Sequence, residues 1–277
     1  MHRCLMALAC LAFSASTALA AGPLDAFNGL KGNLDIAGGT AHIPVMKGAA
    51  KQIMAANPDI RITVAGGGSG VGVRKAGEGL AQIGNTGRAL KESEIKKYGL
   101  VSFPFAIDGV AVAVNPKNPV SGLSKAQLKD IFAGKITNWK EVGGEDLRIQ
   151  VINRDEASGT REAFRTIVMD GTPFDRRSAV LSGTGQVRDV VSRSRGAIGY
   201  ISLGFVESLN AKTSVKAVSV NHVEASEKTV ASGGYPISRD LYFFVKGTPS
   251  QQAQDYIDYV TSEKMDKQIR EAGFIPV

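Results

Sequence analysis

Arg154 stands four residues ahead of Ser158-Gly159-Thr160, and together these residues have the chemistry to hold an oxyanion. The short apolar run Val151-Ile152 leads to the arginine, and a helix-like pattern opens at the Ser-Gly-Thr step. The first turn of an α-helix leaves backbone N–H groups unpaired and carries the positive end of the macrodipole. Two hydroxyl donors and a guanidinium fork beside such a turn make a socket for a small anion.

Two other segments repeat this pattern. Asn33-Leu34-Asp35-Ile36-Ala37 runs into Gly38-Gly39-Thr40, with Pro44 where a helix could begin. Ile60-Arg61-Ile62-Thr63-Val64-Ala65 runs into Gly66-Gly67-Gly68-Ser69-Gly70. A single strand–glycine–hydroxyl–helix turn is common scaffold chemistry. Three of one kind predict helix starts converging on a single anion. His42 borders the first turn and reads as an exposed turn residue, with a place facing the cleft as the alternative.

The elements that would position these turns alternate between strand and helix from residue 33 onward, which argues for α/β layers. Ala81–Gly84 is a short strand candidate, and Lys91–Lys97 a polar, exposed helix. Val101–Ile107 and Val110–Val114 are apolar runs hinged at Asp108-Gly109. Ser124-Lys125-Ala126-Gln127 is a capping-box start, with Leu128, Ile131 and Phe132 as the buried stripe. Helices are expected over Arg161–Met169 and Gln186–Ser194, and strands over Gly196–Ile201 and Tyr242–Val245. Ala253, Tyr256, Ile257 and Val260 form one face of a C-terminal helix. Trp139 reads as a packing anchor.

The N-terminus has a different character. Met1-His2-Arg3 is basic, Leu5–Phe13 is apolar but too short to span a bilayer, and Ala18-Leu19-Ala20 has the small residues of a cleavage site. Residues 1–20 are therefore expected to be a secretory signal, cut after Ala20, which sends the mature chain to the periplasm. Both cysteines, Cys4 and Cys10, fall inside it, so a mature chain from Ala21 has no disulfide or thiolate chemistry.

Charge and motif content narrow the function further. The net charge of +7 is spread without a polybasic block, and aromatics are only 6%, which speaks against a nucleic-acid surface and for a field that attracts a small anion. His42 and His222 are far apart, with no cluster at ligand spacing, so no metal and no cofactor are expected. Ser69 and Ser158 lack a G-x-S-x-G context and a histidine base, and no nucleotide-binding glycine motif is present. The reading is a binding protein without catalytic residues.

The turns and their order resemble the periplasmic phosphate-binding proteins of high-affinity phosphate ABC transporters. The resemblance runs through Gly38-Gly39-Thr40, Gly68-Ser69-Gly70, Asp108-Gly109-Val110-Ala111, Arg154…Ser158-Gly159-Thr160-Arg161, Gly196-Ala197-Ile198-Gly199-Tyr200 and Tyr235-Pro236-Ile237-Ser238-Arg239. It implies an α/β, two-lobed type II periplasmic binding protein fold with the ligand in an interlobe cleft. Lobe I would be 21–108 plus 241–277, and lobe II 109–240. The implied partners are inorganic phosphate and the permease subunits of the transporter, with the receptor itself a monomer.

Carried over residue by residue, the resemblance implies phosphate contacts from Thr40, Ala41, Ser69, Arg154, Ser158, Gly159 and Thr160. Glu156 would orient the arginine, and Arg161 would add a second cation. Longer family members place an aspartate just after the third strand to accept the proton of hydrogen phosphate, whereas this chain has Gly87 there, followed by Arg88. Asp108 is the expected replacement acceptor, the alternative being a turn residue before Gly109, with Arg88 an extra anion contact. The alternatives are the same trap tuned to sulfate, phosphonate or an organic phosphate, or a signalling or adhesion protein that retains phosphate.

Overall fold

In the computed structural model, residues 22–206 and 215–277 are described, so the expected leader and its cleavage site lie outside the described residues. The first strand, β1 (Gly32–Gly38), buries Leu34, Ile36 and Ala37. A 3-10 turn at Thr40–His42 then feeds α1 (Ile43–Ala56), where Pro44 occupies the first turn and no intrahelical N–H is required of it. β2 (Ile60–Ala65) and α2 (Ser69–Gly77) repeat the motif, followed by β3 (Ile83–Thr86) and the surface helix α3 (Glu92–Tyr98), which buries none of its residues.

The next strand, β4 (Leu100–Val114), is continuous over 15 residues, where the sequence predicted two runs broken at Asp108-Gly109. After β5 (Gly122–Leu123), α4 (Lys125–Phe132) opens with the predicted capping box, Ser124 Oγ accepting from Gln127 N at 3.1 Å. β6 (Gln150–Arg154) leads into α5 (Gly159–Phe164). This helix passes into a π-helical turn at Arg165–Met169, so the helix expected at Arg161 starts earlier and changes pitch midway. The chain continues through β7 (Ala179–Leu181), α6 (Thr184–Arg193), β8 (Ala197–Ser202), β9 (Lys216–Val220) and α7 (Glu227–Ala231). It ends with β10 (Ser238–Lys246), α8 (Gln251–Val260), α9 (Glu263–Glu271) and β11 (Ile275–Pro276).

The main strand order is β2-β1-β3-β10-β4-β8-β6-β7. Three parallel strands, β2, β1 and β3, form one end, and β8, β6 and β7 run parallel at the other. The antiparallel pair β4 and β10 joins them. Each end has its own core: Leu34, Val45, Ile83, Phe105, Phe243 and Tyr256 pack in the first, and Val112, Phe132, Trp139, Phe164, Tyr200 and Val218 in the second. Along β4 the buried side chains change core between Ala106 and Val110, and along the chain into β10 they change back between Ile237 and Leu241. Continuity of β4 follows from this: Asp108-Gly109 is held in register against Arg239 and Ser238 while the side chains on either side point into different interiors. Trp139 is buried, and its indole N–H donates to Gly196 O at 3.0 Å, as a packing anchor would.

Candidate functional site

The three glycine-hydroxyl turns meet. Gly39, Thr40, Ala41, His42, Gly68, Ser69, Gly87, Arg154, Ser158, Gly159, Thr160 and Arg239 line one small cavity, in which the centre of a water-sized sphere has about 10 Å³ to move. A cleft of about 460 Å³ elsewhere, bounded by Ile131, Leu147 and Arg177, is far larger, but none of the three turns contributes to it. Chemistry, rather than size, distinguishes the candidate site. Its lining comes from the turns after β1, β2, β3 and β6, together with Arg239 on β10.

Local structure sets each hydroxyl as a donor. Ser158 caps α5, its Oγ accepting from Arg161 N at 3.1 Å. Ser69 Oγ accepts from Gly87 N at 3.1 Å. With a lone pair occupied by backbone N–H, each hydroxyl retains its single O–H to give. Glu162 N is taken by Ser158 O and Arg161 N by Ser158 Oγ, so capping begins too late to occupy the amides of Gly159 and Thr160.

Contacts across the cavity tie its two sides together. Thr40 Oγ1 lies 3.1 Å from Thr184 Oγ1 and accepts from Thr184 N at 3.3 Å. Gly70 N donates to Ala157 O at 3.0 Å. Gly68, at φ +92°, allows this approach, since a Cβ there would come within 2.5 Å of Ala157 O.

Arg154 is 1% exposed and, among the described residues, makes no hydrogen bond to a carboxylate. Its Nε donates to Leu181 O at 3.1 Å and its Nη2 to Ser182 O at 3.0 Å, which fixes the plane of the fork. Nη1 reaches Thr184 Oγ1 at 3.1 Å. Burial lowers its pKa from the ordinary arginine value, the Asp155 charge opposes this, and the Arg239 charge adds to it. A buried cation held by neutral acceptors, beside free donors, is short of a negative partner.

Several expected roles fall elsewhere. Asp108 is fully buried but does not line the cavity: Oδ2 accepts from Arg239 Nε at 2.9 Å and Nη2 at 2.7 Å, and Oδ1 from Ser202 Oγ at 2.7 Å and Leu203 N at 3.3 Å. Burial pushes its carboxyl up from the usual range, against the Arg239 charge and these bonds. Every contact is with a donor, which fits a carboxylate already engaged and not an acceptor waiting for phosphate. Arg88 turns away to Glu94, donating at 2.6 and 2.9 Å, and is absent from the lining. Glu156 is exposed, and backbone carbonyls orient Arg154 instead. Arg161 packs its guanidinium 4.9 Å from the Phe174 ring, outside the cavity.

Three residues outside the expected ligand set sit at the cavity or against its lining. Arg239 brings a second guanidinium to the lining, with Nη1 3.4 Å from Gly87 O. Gly87 is needed there, because a Cβ would come within 2.5 Å of Arg239 Nη1. The glycine that departs from the family pattern thus makes room for an arginine. His42 is 1% exposed, which corrects the expected exposed turn: Nε2 donates to Thr86 O at 3.1 Å, and burial together with the Arg239 charge pushes its pKa down to about 3. Thr184, at the start of α6, bridges Arg154 and Thr40.

Residues 25–264 match the family model for the PBP superfamily domain, and the chain belongs to that superfamily. Its α/β architecture is the two-lobed, type II fold of periplasmic phosphate-binding proteins. The phosphate-binding protein PstS of Bacillus subtilis is 39% identical over 249 residues, covering 89% of this chain and 81% of that protein. Within the superfamily, the chain falls in the PstS family. A phosphate ABC transporter substrate-binding protein from Clostridium perfringens, solved with bound phosphate, matches with a TM-score of 0.82 at 36% identity, over 89% of this chain and 100% of that one. An ABC-type phosphate transport receptor from Vibrio cholerae matches at 0.71 with 32% identity, over 87% and 99%.

Proposed function

We propose that this protein captures inorganic phosphate outside the cytoplasm and delivers it to the permease subunits of an ABC transporter, without catalysing a covalent step. The observation that carries the reading is Arg154: a buried guanidinium with no carboxylate bonded to it among the described residues, facing hydroxyls and helix-start amides from three turns. A compact oxyanion supplies the missing charge and accepts every donor. The ligand set is Thr40, Ala41, Ser69, Arg154, Ser158, Gly159 and Thr160, with Arg239 added.

We take the lobes to meet on β4 and β10, near Asp108 and Arg239, with the anion between them. Only the closed state brings both sets of donors to one point, so the ligand favours closure by its differential affinity. The receptor acts as a monomer after removal of residues 1–20. Among the described residues, no helix is long and apolar enough to cross a membrane.

Calorimetric titration with phosphate, sulfate, phosphonate and a phosphate monoester tests the ligand. Tight binding of another anion alongside weak binding of phosphate would replace the reading with the alternative oxyanion. Growth at limiting phosphate after deletion separates uptake from a retained structural ion.

A further inference from the structure

His42 lines the socket, yet only one of its ring nitrogens is satisfied. Nε2 faces Thr86 O, which can only accept, so Nε2 carries the proton and Nδ1 is left with a bare lone pair. Among the described residues no donor reaches Nδ1, which is buried beside the Gly39 backbone. It sits against Gly39, another lining residue, so closely that a Cβ there would come within 2.4 Å of it. Asn85 Oδ1, also unpartnered and buried, flanks the same glycine.

Most of the polar groups that line the socket are donors or already accept a hydrogen bond. Arg154 and Arg239 have no lone pairs to offer, and lone pairs of Ser69 and Ser158 are already engaged by Gly87 N and Arg161 N. Asp108, the nearby carboxylate, is filled by four donors. The imidazole cannot relieve its empty nitrogen by protonation near neutrality, since burial and the Arg239 charge hold it neutral. A buried acceptor without a donor is costly, and a guest that brings a proton removes the cost.

We propose, resting on the phosphate reading above, that His42 Nδ1 accepts the hydrogen bond of the anion's protonated oxygen and so makes the socket prefer hydrogen phosphate to unprotonated tetrahedral anions. Inorganic phosphate carries at least one proton near neutrality. Sulfate and monofluorophosphate, of similar charge and shape, carry none.

The test is calorimetric titration at pH 7.5 of the mature protein and of His42→Phe and His42→Asn with phosphate, monofluorophosphate and sulfate. The wild type is expected to bind phosphate at least about tenfold more tightly than monofluorophosphate. His42→Phe should lose about tenfold for phosphate while its sulfate and monofluorophosphate affinities stay within about twofold. His42→Asn, which keeps an acceptor at the δ position, should recover most of the discrimination. Equal wild-type affinities for phosphate and monofluorophosphate overturn the proposal, and this arm needs no variant to fold. A parallel loss of all three anions in His42→Phe overturns it as well, by marking a structural role. A wild type that binds none of the three overturns the reading of the socket itself.

Discussion

Asp108 and Arg239 face each other at one register position of β4 and β10, where buried side chains change from one core to the other, and two guanidinium N–H groups meet Asp108 Oδ2 at 2.7 and 2.9 Å. The third edge of the same guanidinium reaches the socket at Gly87 O. One of the two site cations is thereby anchored to the crossover between the cores. Asp108→Ala should leave Arg239 buried and unpaired, costing roughly 3–5 kcal/mol. Urea unfolding measures this, and a midpoint unchanged from wild type would contradict the pairing.

Arg154→Ala removes the cation that has no carboxylate bonded to it among the described residues. Phosphate affinity should fall by the worth of charge-assisted hydrogen bonds, about 1.5–3 kcal/mol, or roughly 10- to 150-fold in Kd. The unliganded protein should lose little stability, because a buried charge short of a partner is also removed. Titration combined with thermal melting reads both effects. An affinity within threefold of wild type would exclude Arg154 from the ligand set.

Gly68→Ala probes closure. Its Cβ would meet the Ala157 carbonyl across the cavity at 2.5 Å, and the φ of +92° disfavours any side chain. Because the obstacle is backbone, the two sides must stay apart. Small-angle scattering in saturating phosphate should show less compaction than in wild type, with affinity weakened about tenfold or more. Wild-type compaction in the variant would mean that the Gly68–Ala157 approach is not part of the bound state.

His42 gives stability a pH dependence of definite sign. Its folded pKa is depressed to about 3 from the ordinary 6.5, so between these values the unfolded chain binds the proton that the folded one refuses. The stabilisation is complete above about pH 6.5 and is lost as the pH falls toward the folded value, at up to about 1.4 kcal/mol per pH unit. Against the wild type, His42→Asn should show a flatter loss of unfolding free energy between pH 7 and pH 4. Parallel profiles would mean that His42 is not held neutral.

The sequence made the socket legible wherever a local pattern carried it. Gly-Ser and Gly-Thr turns after apolar runs announced Thr40, Ser69 and Ser158 because capping chemistry is written in neighbouring residues. What it hid were consequences of pairing at a distance. Asp108 and Arg239 are 131 residues apart, and only their shared register spends the carboxylate on the arginine instead of on the ligand. Arg88 had its own acid six residues on, Glu94, which a helix-start reading of that segment could have matched. The burial of His42 follows from its packing beside Phe105, with ring centroids 5.6 Å apart, in a strand 63 residues away. At Asp108-Gly109 the local turn signal was overruled by an antiparallel partner whose rank in the sheet no single segment reveals.

The last strand does more than end the chain. Phe274 belongs to the first core and Ile275 to the second, and β11 pairs with Ala106 and Ile107 of β4, just ahead of Asp108. Trimming a handful of carboxy-terminal residues would strip a cover from the middle of the longest strand and bare its amides and carbonyls to solvent. An uncovered edge of that kind recruits strands from other molecules, so a shortened chain would be at risk of self-association even with every residue of the proposed ligand set intact.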